Sequence, residues 1–140
     1  MLAILVFTKK ASGEDLNAKA IPTYSDHFLV AYNSILSPTE AFKEEIKSVI
    51  ITKAVRNNID PELFLRIAIC ESGLNPKAKN SKSSASGLYQ FLPSTWLSWG
   101  NGDVFDVNDN VDAAVKLFLA RGTAPWNPSK SCWQTNYVQK

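Results

Sequence analysis

Residues 67–73 read IAICESG, and residues 85–96 read ASGLYQFLPSTW. The first stretch closes an apolar pattern of helical spacing with an acid, Glu71, followed by a serine and a helix-ending glycine. Residues 74–91 are rich in Ser, Lys, Asn and Gly, which favours a loop and a short β element, with residues 87–90 as a strand. The sequence therefore predicts a lone carboxyl group where a buried helix meets a small β excursion.

Helical patterns occupy most of the remaining chain from residue 37 onward. Residues 37–40, SPTE, are typical of a capping box, and apolar residues at helical spacing extend this first helix over residues 38–57. The helix that contains Glu71 starts at Asp60 and Pro61. A short helix is expected at residues 93–99, and a last long helix starts near Val111 and ends at Gly122. The fold class is predicted to be mainly α, with one small β excursion.

Length and composition favour one globular domain, and the helical pattern places it at residues 37–140, after an arm at residues 1–36 that lacks such a pattern. A net charge of +2 is too small to indicate a nucleic-acid partner. The apolar run at residues 1–7 is too short to span a membrane. It is either the tail of a longer export signal or membrane anchor, or part of a disordered or packed arm. We expect a monomer.

The two cysteines, Cys70 and Cys132, cannot form a zinc site by themselves, because His27 is the only histidine and lies far away in the sequence. No metal or organic cofactor is expected. The cysteines form either one disulfide or two separate buried thiols. A disulfide would stabilise the fold by about 4 kcal/mol on the chain-entropy model and would bring the C-terminal tail close to Glu71.

Glu71 has the surroundings that a general acid requires. Cleavage of a glycosidic bond needs a carboxyl group that is still protonated near neutral pH. The apolar neighbours of Glu71 disfavour its charged form, and so does its position at the C-terminal end of a helix. Both effects are expected to raise its pKa, which makes Glu71 the candidate catalytic residue.

A second carboxylate, which most glycosidases use, is not evident. Asp106 and Asp109 are better explained as turn and N-cap residues of the last long helix, and Asp112 as part of its first turn. A single-acid mechanism avoids the need for a second group. The C6 hydroxyl of the sugar attacks C1, while one carboxyl group acts first as acid and then as base, giving an anhydro ring.

Two sequence blocks resemble the soluble lytic transglycosylase (SLT) domain of the lysozyme-like superfamily. Residues 71–78, ESGLNPKA, match its pattern E-S-G-x-N-P-x-A, and residues 87–96, GLYQFLPSTW, match G-L-M-Q followed by P-x-T. The Phe105-Asp106 turn also resembles the block that follows. The resemblance covers roughly residues 45–122 and implies a mainly α, α+β lysozyme-like fold.

The resemblance implies that Glu71 is the catalytic acid/base, that Ser72 orients it or contacts substrate, and that four residues line the sugar cleft: Gly87, Leu88, Tyr89 and Gln90. The implied substrate is the peptidoglycan strand of a bacterial cell wall, cut between N-acetylmuramic acid and N-acetylglucosamine. This implies an enzyme that acts outside the cytoplasm, secreted or bound to the cell envelope.

The C-terminal tail departs from the family pattern. The motif Ala-Tyr-Asn, whose tyrosine helps to hold the catalytic glutamate, is absent after the last long helix. The stretch Cys-Glu-Ser-Gly with a late Trp and Cys instead resembles the resuscitation-promoting factors, which implies a Cys70–Cys132 bridge and a cleft wall formed by Trp126. Two alternatives stay open: a hydrolytic muramidase on the same fold, and a non-catalytic peptidoglycan-binding module.

Overall fold

The computed structural model describes residues 37–134, which fold mainly into helices. In chain order they are α1 Pro38–Arg56, α2 Pro61–Ser72, α3 Pro93–Trp99, α4 Val107–Arg121, a 3-10 helix Ala124–Ser129 and α5 Lys130–Trp133. The prediction of a mainly α fold is confirmed. The arm predicted at residues 1–36 lies outside the described residues, as do residues 135–140.

The first helix begins at the capping box that the sequence indicates. Ser37 Oγ accepts a hydrogen bond from the Glu40 N–H at 3.3 Å, and Glu40 Oε2 accepts one from the Ser37 N–H at 3.0 Å. Pro38 lies in the first turn, where its missing N–H has no helical partner to lose. α1 packs against α2 and α4, and its buried residues are Ile46, Ile50 and Ala54.

The second helix carries Glu71 in its last turn. Asp60 caps its N-terminus, since Asp60 Oδ1 accepts a hydrogen bond from the Glu62 N–H at 2.9 Å. Gly73 ends the helix with φ +62°, in the left-handed region that glycine enters without steric cost. Both ends agree with the sequence prediction, and together they fix Glu71 at the point where the core helix gives way to a loop.

The segment between α2 and α3 is a loop whose β structure consists of two isolated antiparallel bridges, both of which involve Ser86. The prediction of a strand at residues 87–90 is wrong, because these residues form a turn in which Gly87 has φ +79° and Gln90 has φ +50°. Positive φ values cannot belong to an extended strand. The β excursion after Glu71 is therefore present but smaller than predicted.

The long helix α4 begins at Val107, one turn before the predicted start at Val111. Asp106 is its N-cap, and its Oδ1 accepts hydrogen bonds from two N–H groups of the first turn at 2.8 and 3.0 Å. The helix ends at Arg121, and Gly122 follows with φ +58°. Capping by Asp106 thus agrees with the sequence analysis, whereas the extra turn does not.

Aromatic side chains join α2, the turn at residues 87–90 and the 3-10 helix. Phe64 and Tyr89 have ring centroids 4.7 Å apart, and Tyr89 and Trp126 have centroids 5.7 Å apart. All three side chains are at most 4% exposed. Since large aromatic residues contribute much of the burial free energy of a small core, this cluster fixes the turn and the 3-10 helix against the helix that carries Glu71.

Candidate active site

Glu71 faces a cleft of about 540 Å³, a volume within the usual range for a small-molecule or oligosaccharide site. Residues from α2, the following loop, α3, α4 and the 3-10 helix line it. Among these described residues Glu71 is the one carboxylate, and the other polar side chains are Asn80, Ser83, Gln90, Thr95 and Ser129. The cleft thus combines one ionisable group with several uncharged hydrogen-bonding groups.

The four aspartates that follow α3 all have structural partners. Asp106 caps α4. Asp109 Oδ2 accepts a hydrogen bond from the Asp103 N–H at 2.9 Å. Asp112 forms an ion pair with Lys53 Nζ at 2.6 Å. None of the four lines the cleft, so within residues 37–134 no aspartate lies in the cleft to share the chemistry with Glu71.

Ser129 holds the carboxyl group of Glu71. The Ser129 hydroxyl donates a hydrogen bond to Glu71 Oε1 at 2.5 Å, and its oxygen also lies 3.0 Å from the Trp126 carbonyl oxygen. Within residues 37–134, Glu71 Oε2 has no hydrogen-bond partner. One carboxyl oxygen is therefore anchored by the protein, and the other is left for a ligand.

Burial raises the pKa of Glu71 above its ordinary value, because a half-buried carboxylate loses part of its hydration. The hydrogen bond from Ser129 opposes this shift, since it favours the charged form, but the desolvation effect is larger. The direction agrees with the expectation from the apolar neighbours of Glu71. A carboxyl group with a raised pKa can donate a proton and later accept one.

The Cys70–Cys132 disulfide brings the C-terminal segment to the helix that carries Glu71. Its Cα atoms are 6.0 Å apart, and the bridge connects residues 62 positions apart in the sequence. Cys70 directly precedes Glu71, and Cys132 lies three residues after Ser129. The cross-link therefore constrains both partners of the Ser129–Glu71 hydrogen bond.

Hydrogen bonds from two tryptophans and one arginine also hold this C-terminal segment in place. Trp126 Nε1 donates to the Tyr89 carbonyl at 3.1 Å, and Trp133 Nε1 donates to the Trp126 carbonyl at 3.0 Å. Arg66 Nε of α2 donates to the Trp133 carbonyl at 3.3 Å. These bonds connect the 3-10 helix and α5 to α2 and to the turn at residues 87–90, so Ser129 projects from a well-supported backbone.

Three of the predicted substrate-binding residues do not line the cleft. Ser72 Oγ donates to the Ala68 carbonyl of its own helix at 3.1 Å. Gly87 lies so close to α4 that an added Cβ would come within 2.1 Å of Asn110 Nδ2. Leu88 has no exposed surface, so it packs in the core and cannot contact a sugar.

Tyr89, Gln90 and Trp126, also predicted from the sequence, do line the cleft together with Glu71. Tyr89 is only 1% exposed, and its hydroxyl donates to the Phe64 carbonyl at 3.1 Å, so it forms the floor instead of a stacking surface. Trp126 is 4% exposed and has a similar position. Gln90 is half-buried, and its Nε2 donates to the Gly87 carbonyl at 2.9 Å, which leaves its carbonyl oxygen for a ligand.

Ser129 is the residue that sequence reasoning missed. It lies 58 positions from Glu71, in a tail where no family motif matches. The available signal was the pair of cysteines. A Cys70–Cys132 bridge places residues within one turn of Cys132 beside Glu71, and Ser129 is a hydroxyl-bearing residue in that interval.

A mainly helical fold with a half-buried carboxyl group at the end of a core helix is consistent with a lysozyme-like domain. A family model described as "Transglycosylase SLT domain" matches residues 48–126, more than half of the chain. The protein belongs to this family of lytic transglycosylases. At the level of the family it is a glycan-cleaving enzyme of the transglycosylase type, whose substrate is peptidoglycan and whose site of action is therefore outside the cytoplasm.

No solved structure gives a significant match to the chain. The similarity to the resuscitation-promoting factors stays a prediction, although the bridge that it implies is present. No helix within residues 37–134 combines the length and the hydropathy needed to cross a bilayer. In the same part of the chain, no three His, Cys, Asp or Glu side chains come together as ligands for a metal ion.

Proposed function

We infer that the protein is a peptidoglycan lytic transglycosylase in which Glu71 is the single acid/base. Its reaction is cleavage of the β-1,4 bond between N-acetylmuramic acid and N-acetylglucosamine, with a 1,6-anhydro-N-acetylmuramic acid end as product. The observation that carries this proposal is the Glu71 carboxyl group, the one carboxyl group among the described residues of the cleft, anchored by Ser129 through one oxygen.

In the first step, protonated Glu71 gives its proton to the glycosidic oxygen, and the bond from this oxygen to C1 of the muramic acid breaks. The N-acetylglucosamine leaves with a free hydroxyl. In the second step the C6 hydroxyl of the muramic acid attacks C1, and the Glu71 carboxylate takes its proton. The carboxyl group returns to its starting state, and no water is consumed.

The raised pKa of Glu71 suits both steps, because the group must be protonated before the first and charged before the second. Ser129 is the positioning residue for this cycle, since its hydrogen bond to Oε1 leaves Oε2 as the atom that exchanges the proton. It would replace the tyrosine that the absent Ala-Tyr-Asn motif supplies. The disulfide further supports action in an oxidising, extracytoplasmic compartment.

The proposal is tested by incubating purified peptidoglycan with the protein and with the Glu71→Gln variant, and by measuring the soluble muropeptides released. The amide keeps the size of the side chain but has no proton to donate, so release should fall to the level without enzyme. Glu62→Gln is the matched control, because Glu62 lies on the same helix, does not line the cleft and forms an ion pair with Arg66 at 3.6 Å. It should leave release unchanged.

Unchanged release with Glu71→Gln would refute the site assignment. No release by the wild-type protein, with the disulfide intact and peptidoglycan still bound, would favour the non-catalytic binding module. Release of fragments with ordinary reducing ends would favour the hydrolytic muramidase.

A further inference from the structure

A second cavity adjoins the cleft that Glu71 faces. Thr95, Leu117 and Pro125 line both, so the two cavities adjoin across α3 and the C-terminal half of α4; together they are called the groove below. The second cavity has a volume of about 500 Å³. Glu71 does not line the second cavity, which therefore offers room for groups of the substrate other than the bond that is cut.

Arg121 is the one charged residue among the described residues that line this second cavity. Its guanidinium carbon lies 5.9 Å from the centre of the Trp99 ring, within cation–π range. No carboxylate among residues 37–134 forms an ion pair with it. A position in the last turn of α4 explains a positive charge through the helix dipole, but not the placement over an aromatic ring at the edge of a groove.

Hydroxyl groups accompany this arginine. Ser94, Thr95 and Ser98 of α3 also line the second cavity. Ser98 Oγ donates to the Ser94 carbonyl at 3.2 Å, whereas the side-chain hydroxyls of Ser94 and Thr95 make no hydrogen bond within the described part of the chain. A guanidinium group over an aromatic ring, beside two hydroxyl groups without a hydrogen-bond partner in residues 37–134, favours a carboxylate, which accepts several hydrogen bonds at once.

We propose that Arg121, whose guanidinium group lies over the Trp99 ring, forms with Ser94 and Thr95 a subsite for a carboxylate carried by the peptidoglycan strand. The inference rests on the proposed function, because it takes peptidoglycan as the ligand of the groove. The sugar backbone of this polymer is uncharged, and its carboxylates are borne by the stem peptides or, on strands without peptides, by the lactyl groups. Both sources present the same chemical group to Arg121.

The test measures binding, so that it does not depend on cleavage. The Glu71→Gln protein, with and without Arg121→Gln, is sedimented with insoluble peptidoglycan in three forms: peptide-bearing, stripped of peptides so that lactyl carboxylates are free, and peptide-bearing with its carboxylates converted to amides. We expect Arg121→Gln to weaken binding to a carboxylate-bearing form about three- to tenfold, as for a partly exposed charge-assisted contact. It should not change binding to the amidated form.

Arg56→Gln is the matched control. Arg56 is also an exposed arginine in the last turn of a helix, but it lines no part of the groove. It should leave all three affinities unchanged. Arg121→Lys keeps the charge but loses the planar fork, so it should restore only part of the affinity.

A loss confined to peptide-bearing strands would assign the subsite to stem-peptide carboxylates, and a loss confined to stripped strands would assign it to lactyl groups. Equal losses on the amidated form, or equal losses with Arg56→Gln, would overturn the proposal. Arg121-dependent binding together with a wild-type protein that releases no fragments would leave the subsite in place and refute the proposed function.

Discussion

Removal of the Cys70–Cys132 disulfide should destabilise the fold strongly. The bridge joins α2 to α5 across 62 positions of sequence, and it lies beside both Glu71 and Ser129. The perturbation is the double substitution Cys70→Ser with Cys132→Ser. Since Cys132 is exposed and Cys70 only partly buried, serine should fit at both positions without a large packing loss.

The magnitude follows from the length of the closed loop. A cross-link over 62 residues removes chain entropy worth about 4 kcal/mol from the unfolded state. Whole domains of this size are stable by about 5–15 kcal/mol, so the loss is a large fraction of the total. With a urea dependence of about 1–3 kcal/mol per molar, the midpoint of unfolding should fall by about 1–4 M.

The assay is urea denaturation followed by tryptophan fluorescence, for the wild-type protein and for the double variant, each with and without a thiol reductant. Reductant should lower the midpoint of the wild-type protein to that of the variant and leave the variant unchanged. Coincident midpoints for oxidised wild-type protein and variant, with equal slopes, would refute the reasoning that this bridge restricts the unfolded chain.

Three further predictions concern the network around the cleft. Trp126→Phe keeps an aromatic ring but loses the N–H that bonds to the Tyr89 carbonyl, so it should lower the free energy of unfolding by about 1–3 kcal/mol; an unchanged urea midpoint would contradict this. Asn110→Ala removes the buried acceptor of the Tyr89 N–H at 3.0 Å and should cost about 2–4 kcal/mol in the same assay, whereas a loss below that of Trp126→Phe would contradict it. The raised pKa of Glu71 means that the folded state holds this proton more tightly than the unfolded state, so wild-type stability should fall as the pH rises from the unfolded-state pKa through the folded-state pKa. Glu71→Gln lacks this term, and its melting temperature relative to wild type should therefore rise from acidic to neutral pH; a constant difference would contradict the pKa shift.

The sequence predicted the helices well where their ends depend on local chemistry. The capping box at Ser37, the N-cap at Asp60 and the left-handed Gly73 all act within a few residues of the helix end. Such signals are complete within a short window of sequence. The start of α4 was placed one turn late, because several aspartates compete for the N-cap position and the sequence does not rank them.

The turn at residues 87–90 was predicted as a strand because its conformation depends on a distant residue. Asn110 of α4 accepts a hydrogen bond from the Tyr89 N–H and donates one to the Val104 carbonyl at 2.7 Å. This buried amide bonds the turn to α4, and only glycine at position 87 permits the close approach. The pattern of apolar and polar residues at 87–90 does not indicate this contact with Asn110.

The candidate site was predictable in its central residue but not in its support. Glu71 is evident from its place at the end of an apolar helix. The contact of Ser129 with Glu71 instead involves a C-terminal segment that the disulfide and Trp126 hold in place. The directions of the side chains in the turn at residues 87–90 were also not predictable. In this turn Leu88 points into the core, whereas Gln90 lines the cleft.

The most direct test of the central claim is mass spectrometry of the muropeptides that the protein releases from purified peptidoglycan in water labelled with heavy oxygen. If Glu71 acts as the single acid/base and the substrate supplies the nucleophile, the fragments should end in 1,6-anhydro-N-acetylmuramic acid, one water molecule lighter than hydrolysis products, and should carry no label. Reducing ends that contain heavy oxygen would show that water attacks C1 and would contradict the account.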